Sequence, residues 1–572
     1  MRKIRHEKQS RKAQAKASAR PQNKGYGEAG ASWHKKAVKA FNAPSGSPRE
    51  DIDFNNYTLR QRARMLYMAA PIATSAIKTN RTNVVGVGLK LKSRIDREVL
   101  GLTAEQAEAW QKTTEREFAL WAENKRACDA TGMNNFYGLQ QLALTSWLLS
   151  GDCIGVLKQY DEDRHLPYAL RVHLIESDRI ATPVNHGTGA SVNYTTGKNP
   201  DTGNTIYDGV EVDGNGMVVA YHIRSNYPFE VGGHTTTWAR VLAYQEHTGL
   251  PNVVHVMESE RPDQYRGVSY LAQVIEPLLQ LRRYTESELM AAVIESFFTA
   301  FIKTEAPTDE MPFNQVEEDP PEEAKGPNEY SMGPGQINVM EPGEDVTFAN
   351  PTRPAGGFDA FVTSISSQIG AALEIPADLL LKKFNASYSA SRAALLEAWK
   401  SFKMRREWLA DDFCRPIYAV WMSEAVARGR IYAPGFFDNP AIRAAYLGSE
   451  WLGPSQGQLD PVKEITAEIL ACSEGFSTHE QSTIRLNGGQ WDANVEQLLR
   501  ENEKLGGNSP DPHQTGSSTG QEPSEGDEGG NEDNNPHNPE NARQRGRQAM
   551  RSLVIAEQIK QAIKGGQGSE ET

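Results

Sequence analysis

Cysteine is scarce. The 572-residue chain holds four, Cys128, Cys153, Cys414 and Cys472, far apart and with no CxxC pair. That spacing indicates neither a zinc site nor a disulfide framework. Four separated thiols fit small buried apolar side chains in a reducing compartment. No apolar run reaches the roughly 20 residues that span a bilayer. The first residues are basic and polar where a signal peptide would carry an apolar segment. The expectation is a soluble chain of intracellular type, with no membrane partner. Catalytic signatures are missing as well. Gly197-Lys198 is followed by Asn199 and has Val192 where a phosphate-binding loop needs its first glycine. Neither a GxSxG elbow nor an HExxH helix is present. Twelve histidines form no ligand-spaced cluster, and His173 and His222 read as satisfied polar residues on strands. The pairs Asp161/Asp163 and Asp411/Asp412 read as solvated turn or helix-face carboxylates. No catalytic residue, cofactor site or metal site is therefore expected.

What is present is charge, sorted into blocks. The net charge is -13. Residues 1–40 hold twelve Lys/Arg against two Glu, residues 304–350 hold twelve Asp/Glu against Lys325, and residues 501–572 hold thirteen acids against seven bases. Three segregated blocks suit three different surroundings. The basic arm reads as a solvated tail, with contact to nucleic acid or an acidic surface as the alternative. The acidic stretch lacks the spaced ligands of a calcium loop.

The length allows about three or four domain-sized pieces. Residues 1–50 and 506–572 are poor in large apolar side chains and read as disordered. Between them, Leu59 to Lys78 reads as a helix interrupted at Pro71. Asn83 to Leu91 has strand composition, its two glycines serving a turn or bulge. Thr103 to Asn124 is an amphipathic helix with a Thr103/Gln106 capping box. Phe136 to Leu149 is a second helix, closed by Gly151. Strands are expected at 154–159, 170–175, 210–212 and 218–223, with a hairpin turn at Asp213-Gly214-Asn215-Gly216. This α+β region extends to Met257.

The centre of the chain reads as a hairpin. Tyr270 to Ile302 carries adjacent apolar pairs four apart (Leu289-Met290, Val293-Ile294, Phe297-Phe298, Phe301-Ile302), a wide helical face. After the Pro/Gly/Asp/Glu-rich insert, Phe358, Phe361, Val362, Ile365, Ile369 and Leu373 repeat at helical spacing until Pro376. A polar loop follows, then a long helix capped by Ser389 or Ser391. Short helices are expected at 460–470, 477–486 and 491–505.

Several stretches resemble the lambda-type family of bacteriophage portal proteins. The most specific is Glu258-Ser259-Glu260-Arg261-Pro262-Asp263-Gln264-Tyr265-Arg266-Gly267-Val268-Ser269-Tyr270-Leu271. Ser387-Tyr388-Ser389-Ala390-Ser391-Arg392-Ala393-Ala394-Leu395 is next. Arg62-Ala63-Arg64, Val84 to Gly88, Trp121-Ala122-Glu123, Cys128 to Gly132, Phe136 to Gln140, Cys414 to Tyr418 and Asp460 to Glu464 follow the same order. The resemblance runs roughly from Asn55 to Leu505. Met68-Ala69-Ala70-Pro71 departs from the usual Asn-rich turn, and the long acidic tail is not a hallmark of the family.

The resemblance implies an α+β portal fold with a wing, a helical stem hairpin, a small clip insert, a helical crown and disordered termini. The corresponding segments are 1–50 (basic arm), 51–266 (wing), 267–303 (first stem helix), 304–355 (clip) and 356–376 (second stem helix). Residues 377–390 would be the tunnel loop, 391–430 the long helix returning to the wing, 431–505 the crown and 506–572 the tail. It also implies a homo-oligomeric ring, usually of twelve subunits, at a capsid vertex of the virion, assembled in the host cytoplasm. Double-stranded DNA would pass through it during packaging and ejection. Lys382, Lys383, Asn385, Ser387 and Ser389 would face that DNA. The acids Glu317, Glu318, Asp319, Glu322 and Glu323 would dock the terminase large subunit and later the head-completion or tail connector proteins. The major capsid protein and scaffold are further implied partners. A mostly acidic chain suits a channel that lets DNA slide, since phosphate contacts dominate DNA affinity. The alternative is a metal-dependent nuclease, which needs acids converging from separate ordered elements. Here the densest acids lie in one Pro-rich insert.

Overall fold

The computed structural model describes residues 31–504, apart from 39, 42–43, 162, 184–195, 229, 231–235, 297–299, 303–336, 340–356, 385–386 and 459. Two compact units divide the chain, Met1–Val495 and Glu496–Thr572.

The first unit opens with helices α1 (Phe54–Ala69) and α2 (Pro71–Val84), parted at Ala70. The break falls where Pro71 was expected to make it. Proline lacks an N–H and suits a first helical position, where none is needed. The expected strand over 83–91 is mostly not one. Helix α2 runs to Val84, Gly86 (φ 57°) and Gly88 (φ 127°) turn the chain, and only Lys90–Ser93 (β1) is extended. A side chain at Gly88 would place Cβ 2.4 Å from Tyr137. Helix α3 (Ala104–Ala122) opens with both bonds of the capping box, Gln106 N–H to Thr103 Oγ1 at 3.2 Å and Thr103 N–H to Gln106 Oε1 at 3.0 Å. Helix α4 (Phe136–Ser150) ends at Gly151, whose φ is 95°.

Two antiparallel sheets follow. Strands β2 (Asp152–Gln159) and β3 (Leu170–Glu176) begin the first. The second is built in sequence order from β4 (Thr196–Lys198), β5 (Thr205–Tyr207), β6 (Val210–Val212), β7 (Val218–Arg224) and β8 (Trp238–Leu242). Strand β9 (Val253–Met257) returns to the first sheet, giving the order β3-β2-β9. Alternation along β2 separates two faces. Ile154 and Val156 join Ile175, Val210, Val212, Tyr221 and Ile223 in a core between the sheets. Cys153 and Leu157 face the helices. Strands β4, β5, β8 and β9 were not expected from the sequence.

The chain then enters α5 (Ile275–Ser296). The expected helix to Ile302 stops short: Ala300–Ile302 is a strand, β10, paired in parallel with β11 (Ile337–Val339). Pairing with a strand from beyond the insert overrides the local helical periodicity. The two strands thus bracket residues 303–336. Helix α6 (Phe358–Ala372), the short α7 (Ala377–Leu381) and α8 (Tyr388–Leu409) come next. Neither expected serine caps α8. Ser387 occupies the N-cap position, without a side-chain cap bond, and Ser389 is already inside the helix. The long helix is also interrupted by a π-turn at Ala410–Cys414 before α9 (Arg415–Ala427). Helix α10 (Pro440–Tyr446) and strand β12 (Ser449–Leu452) follow, β12 pairing antiparallel with β1. Helices α11 (Pro461–Ser473), α12 (His479–Asn487) and α13 (Trp491–Lys504) complete the described chain.

The main core is aromatic. Phe118 packs edge-on to Trp421 with centroids 5.0 Å apart, and Trp121 lies 5.2 Å from Phe136. Phe136 stacks on Phe413 at 5.9 Å, and Trp451 closes the cluster against Phe118 at 5.8 Å. Aromatic pairs in such geometry add about 0.5–1.5 kcal/mol beyond burial. They tie α3, α4, the π-turn, α9 and β12 together. In the second unit, the described residues belong to α13, where Arg500 lies 3.6 Å from Glu496.

Candidate functional site

A fixed turn between α6 and α7 leads into the loop between α7 and α8. Helix α6 ends at Leu373, and Ile375 N–H turns back to the Gly370 carbonyl at 2.9 Å. A Cβ at Gly370 would stand 2.4 Å from the Ile375 carbonyl oxygen, so this turn requires glycine. Glu374 sits at φ 54°, an uncommon conformation for a residue with a side chain. Its carboxylate accepts from Arg405 Nη2 at 2.7 Å. Arg405 is buried in α8 and does three things at once. Besides Glu374, it donates to Asn80 Oδ1 at 3.2 Å and lies over the Tyr270 ring, 4.8 Å from its centroid. The Tyr270 hydroxyl donates in turn to the Leu373 carbonyl. Residues from α2, the approach to α5, the end of α6 and α8 thus meet at one point.

From that anchor the loop departs. Ser75 of α2 donates to the Leu380 carbonyl at 2.7 Å. Lys382 closes α7 at φ 55°, and its Nζ donates to Thr79 Oγ1 at 2.9 Å. Burial of that amine shifts its pKa downward. Lys383 Nζ bonds Asp359 of α6 at 3.0 and 3.3 Å. Both partners are well exposed, so the pair contributes no more than about 1 kcal/mol. Ser387 and Ser389 hydroxyls stand 3.3 Å apart. Lys382, Lys383 and Ser387 therefore lie between α7 and α8 and are exposed, Ser389 stands in the first turn of α8, and each lysine is held by a different helix. Asn385 lies outside the described residues, as do Glu317, Glu318, Asp319, Glu322 and Glu323. Farther along α8, Arg406 donates to the carbonyls of Asn83, Val84 and Pro454 at 2.8–2.9 Å. A cation at the C-terminus of α2 is electrostatically well placed. Desolvation brings its pKa down to about 10.

A second anchor, which sequence reasoning did not find, stands where the sheets meet the chain leading into α5. Arg266 is fully buried. Its Nε donates to Asp152 Oδ2 at 2.6 Å and its Nη1 to Asp208 Oδ2 at 2.7 Å. It also reaches the carbonyls of Ser177 and Ile180, both at 3.0 Å. Arg60 of α1 joins from 3.5 Å to Asp208 and 3.8 Å to Asp152. Two positive charges hold the Asp152 carboxyl well below its usual range, although it is completely buried. Asp53 is buried beside the same group and is pushed up to about 7, first by burial and then by Asp208. The next residue, Gly267, is pressed against Gly151: a Cβ there would fall 1.8 Å from the Gly151 carbonyl oxygen. Asn56 Nδ2 binds the Gly267 carbonyl at 3.1 Å. The Arg266-Gly267 pair within the most specific sequence motif is thus where α1, both sheets and the approach to α5 are joined.

Of the acid pairs, Asp161 and Asp411 are exposed and Asp163 partly so, but Asp412 is half-buried and burial pushes its carboxyl up to about 6. Asp163 accepts from His165 N–H, and Asp411 pairs with Arg415. His222 bonds Glu211, a buried carboxylate also held by Arg240, Asn199, Asn204 and Thr202. Among the described residues no group of three or more His, Cys, Asp or Glu is placed to hold a metal ion. No described helix is long and apolar enough to cross a membrane.

Residues 34–406 match the family model described as phage portal protein, lambda family. The chain belongs to that family. Two curated relatives agree with it in kind. The portal protein of Escherichia phage N15 is 22% identical over 482 residues, covering 81% of this chain and 87% of its own length. Portal protein B of Escherichia phage lambda is 23% identical over 484 residues, with the same coverage. Among solved structures, the neck of a native GTA particle computed with C12 symmetry is 13% identical and covers 76% of this chain and 93% of its own, with a TM-score of 0.33. The neck of an empty GTA particle computed with C6 symmetry is 14% identical and covers 79% and 96%, with a TM-score of 0.35. The lambda-family chain is a virion component with a portal vertex function, in a structural rather than an enzymatic family. None of these relatives supports the nuclease alternative.

Proposed function

We propose that this portal chain assembles into a closed ring on the order of twelve copies, in which each subunit presents the Lys382–Ser389 turn to DNA moving through the centre. Cyclic closure with one repeated contact is the common solution for identical chains. The observation that carries the reading is the double anchoring of the turn. Lys382 is fixed to α2 and Lys383 to α6, while Lys382, Lys383, Phe384 and Ser387 stay exposed. Lysines so placed form a small positive collar on a chain of net charge -13. A few phosphate contacts position a duplex without gripping it.

The acids Glu317, Glu318, Asp319, Glu322 and Glu323 dock basic surfaces of the terminase large subunit, and later of the connector proteins. The excess of twelve acids over one base in residues 304–350 supports this. The capsid protein and scaffold are the partners of the wing.

Native mass and negative-stain imaging of the full chain test the ring. A closed ring with a central hole is expected, and a stable monomer at working concentration overturns it. Terminase binding is expected to weaken as salt rises from 50 to 500 mM, because screening acts on exposed charge. Salt-independent binding would remove the docking assignment.

A further inference from the structure

A ring built from one kind of contact is heterologous: each chain must offer two unlike patches that fit each other. The stem carries such a pair. Helix α5 buries Leu278 and Leu281, and Tyr284 packs on Phe358 and Phe361 of α6 with centroids 5.6 and 4.7 Å away. About 80 to 180° around the helix from Leu281 stand Leu289 and Met290. They are 68% and 60% exposed. These two side chains form a protruding apolar ridge.

The complementary feature is a cleft of ≈ 540 Å³ between α6 and α8. Gly370 and Ala398 form a small buried floor, Ala371 and Met404 stand more exposed at its side, and the rim carries Glu374, Glu397 and Lys400, the last two paired at 2.6 Å. The α6 residues of the cleft lie about 160° around that helix from Phe358 and Phe361, so the cleft opens on the side turned away from α5. A volume of this size takes several side chains. Small residues on the floor let a bulky ridge approach closely. The lining holds two carboxylates against one lysine. Arg283 stands on the ridge side of α5, two turns before Met290, and would meet Glu374, whose carboxylate is half exposed beside Arg405. Because ridge and cleft face away from each other across α6, one chain cannot close the contact on itself.

We propose that the Leu289–Met290 ridge of one copy seats in the α6–α8 cleft of the next copy around the ring. This assignment rests on the ring reading above. It places the seam directly behind the Glu374–Arg405 anchor, so closure of the ring would brace the turn that bears Lys382 and Lys383.

Cysteine cross-linking of the full chain tests it. The background carries Cys472→Ser, which leaves three native thiols, all buried. Into it go Met290→Cys and Ala371→Cys together, or each alone. Oxidation of the double variant is expected to give a ladder of covalent multimers, collapsed by reductant and absent from both single variants. Imaging of the same samples separates the two readings. Rings without a ladder overturn the seam and leave the ring standing. Failure of the unsubstituted chain to form rings overturns both. As a second measurement, Leu289→Glu with Met290→Glu is expected to lower the ring fraction at least tenfold with unchanged circular dichroism. Leu142→Glu, at another exposed leucine, should leave it unchanged. Normal assembly of the Leu289/Met290 variant would equally overturn the seam.

Discussion

Replacing Asp53 by asparagine should stabilise the protein at neutral pH and do nothing at acid pH. Charge balance gives the reason. Arg60 and Arg266 are matched by Asp152 and Asp208, all four within one buried cluster. Asp53 is only 6% exposed, and its ionisation adds a third carboxylate to a cluster whose two arginines are already paired. Burial, then Asp208, raise its pKa to about 7, while Arg266, Arg60 and Arg49 pull the other way. In the unfolded chain an aspartate titrates near 3.9. Between those values the folded state holds a proton that the unfolded state has lost. Stability therefore falls as pH rises through this window and levels off above about 7. Three units correspond to about 4 kcal/mol at most, and local relaxation reduces this to about 2–4 kcal/mol. For a cooperative unit of about 400 residues the unfolding entropy is roughly 0.8 kcal/mol/K, so Asp53→Asn should raise Tm by about 3–5 °C at pH 8. The gain should shrink to nothing near pH 4. Calorimetry of both proteins across that range reads it directly. A gain that does not depend on pH, or a loss at pH 8, would show that Asp53 is ionised and paired, and the charge count wrong.

Removing Arg266 attacks the same cluster from the other side. Arg266→Met leaves Asp152 buried with its main partner gone, and should cost about 3–5 kcal/mol, read as a lowered Tm or loss of soluble chain. Gly370→Ala forces a Cβ within 2.4 Å of a carbonyl oxygen. Overlap of that kind costs about 1–3 kcal/mol; limited proteolysis at the α7–α8 turn should show faster cutting than in the parent. Lys382→Ala with Lys383→Ala should leave Tm within about 1 °C, since one bond is exposed and the other neutralises no charge. DNA packaging or retention should fall, and unchanged packaging and retention would end the collar assignment.

Local signals were readable where local contacts decide. The Thr103/Gln106 box formed both its bonds because donor and acceptor are three residues apart. Pro71 divided α1 from α2 for the same reason. Signals failed where the partner is remote. Phe301 and Ile302 continue a helical pattern, yet pair with residues 338 and 339. Lys90–Ser93 is strand only through residues 449–452. Arg266 finds its carboxylates 114 and 58 residues away; a buried arginine has no sequence pattern of its own. Its rank within a family motif was the available hint, and it was read as identity rather than as structure. Strands β4 and β5 are three residues each and lie among Gly, Asn and Thr, too short for alternation to register. The loop lysines were legible as a basic pair, but not the helices that hold them.

The π-turn at Ala410–Cys414 acts as a phase adjuster. A π-turn accommodates one more residue than the α-helical ladder, which amounts to about 100° of rotation. Helix α8 must keep Arg405 and Arg406 aimed at α2, and α9 must keep Tyr418 and Trp421 in the aromatic core. A straight helix of the same length would satisfy one end and swing the other into water. The extra residue lets the end that faces α2 and the end that enters the aromatic core be tuned separately along a single rod. A length change in that turn would therefore register as misalignment at whichever end is less firmly held, and not as local damage.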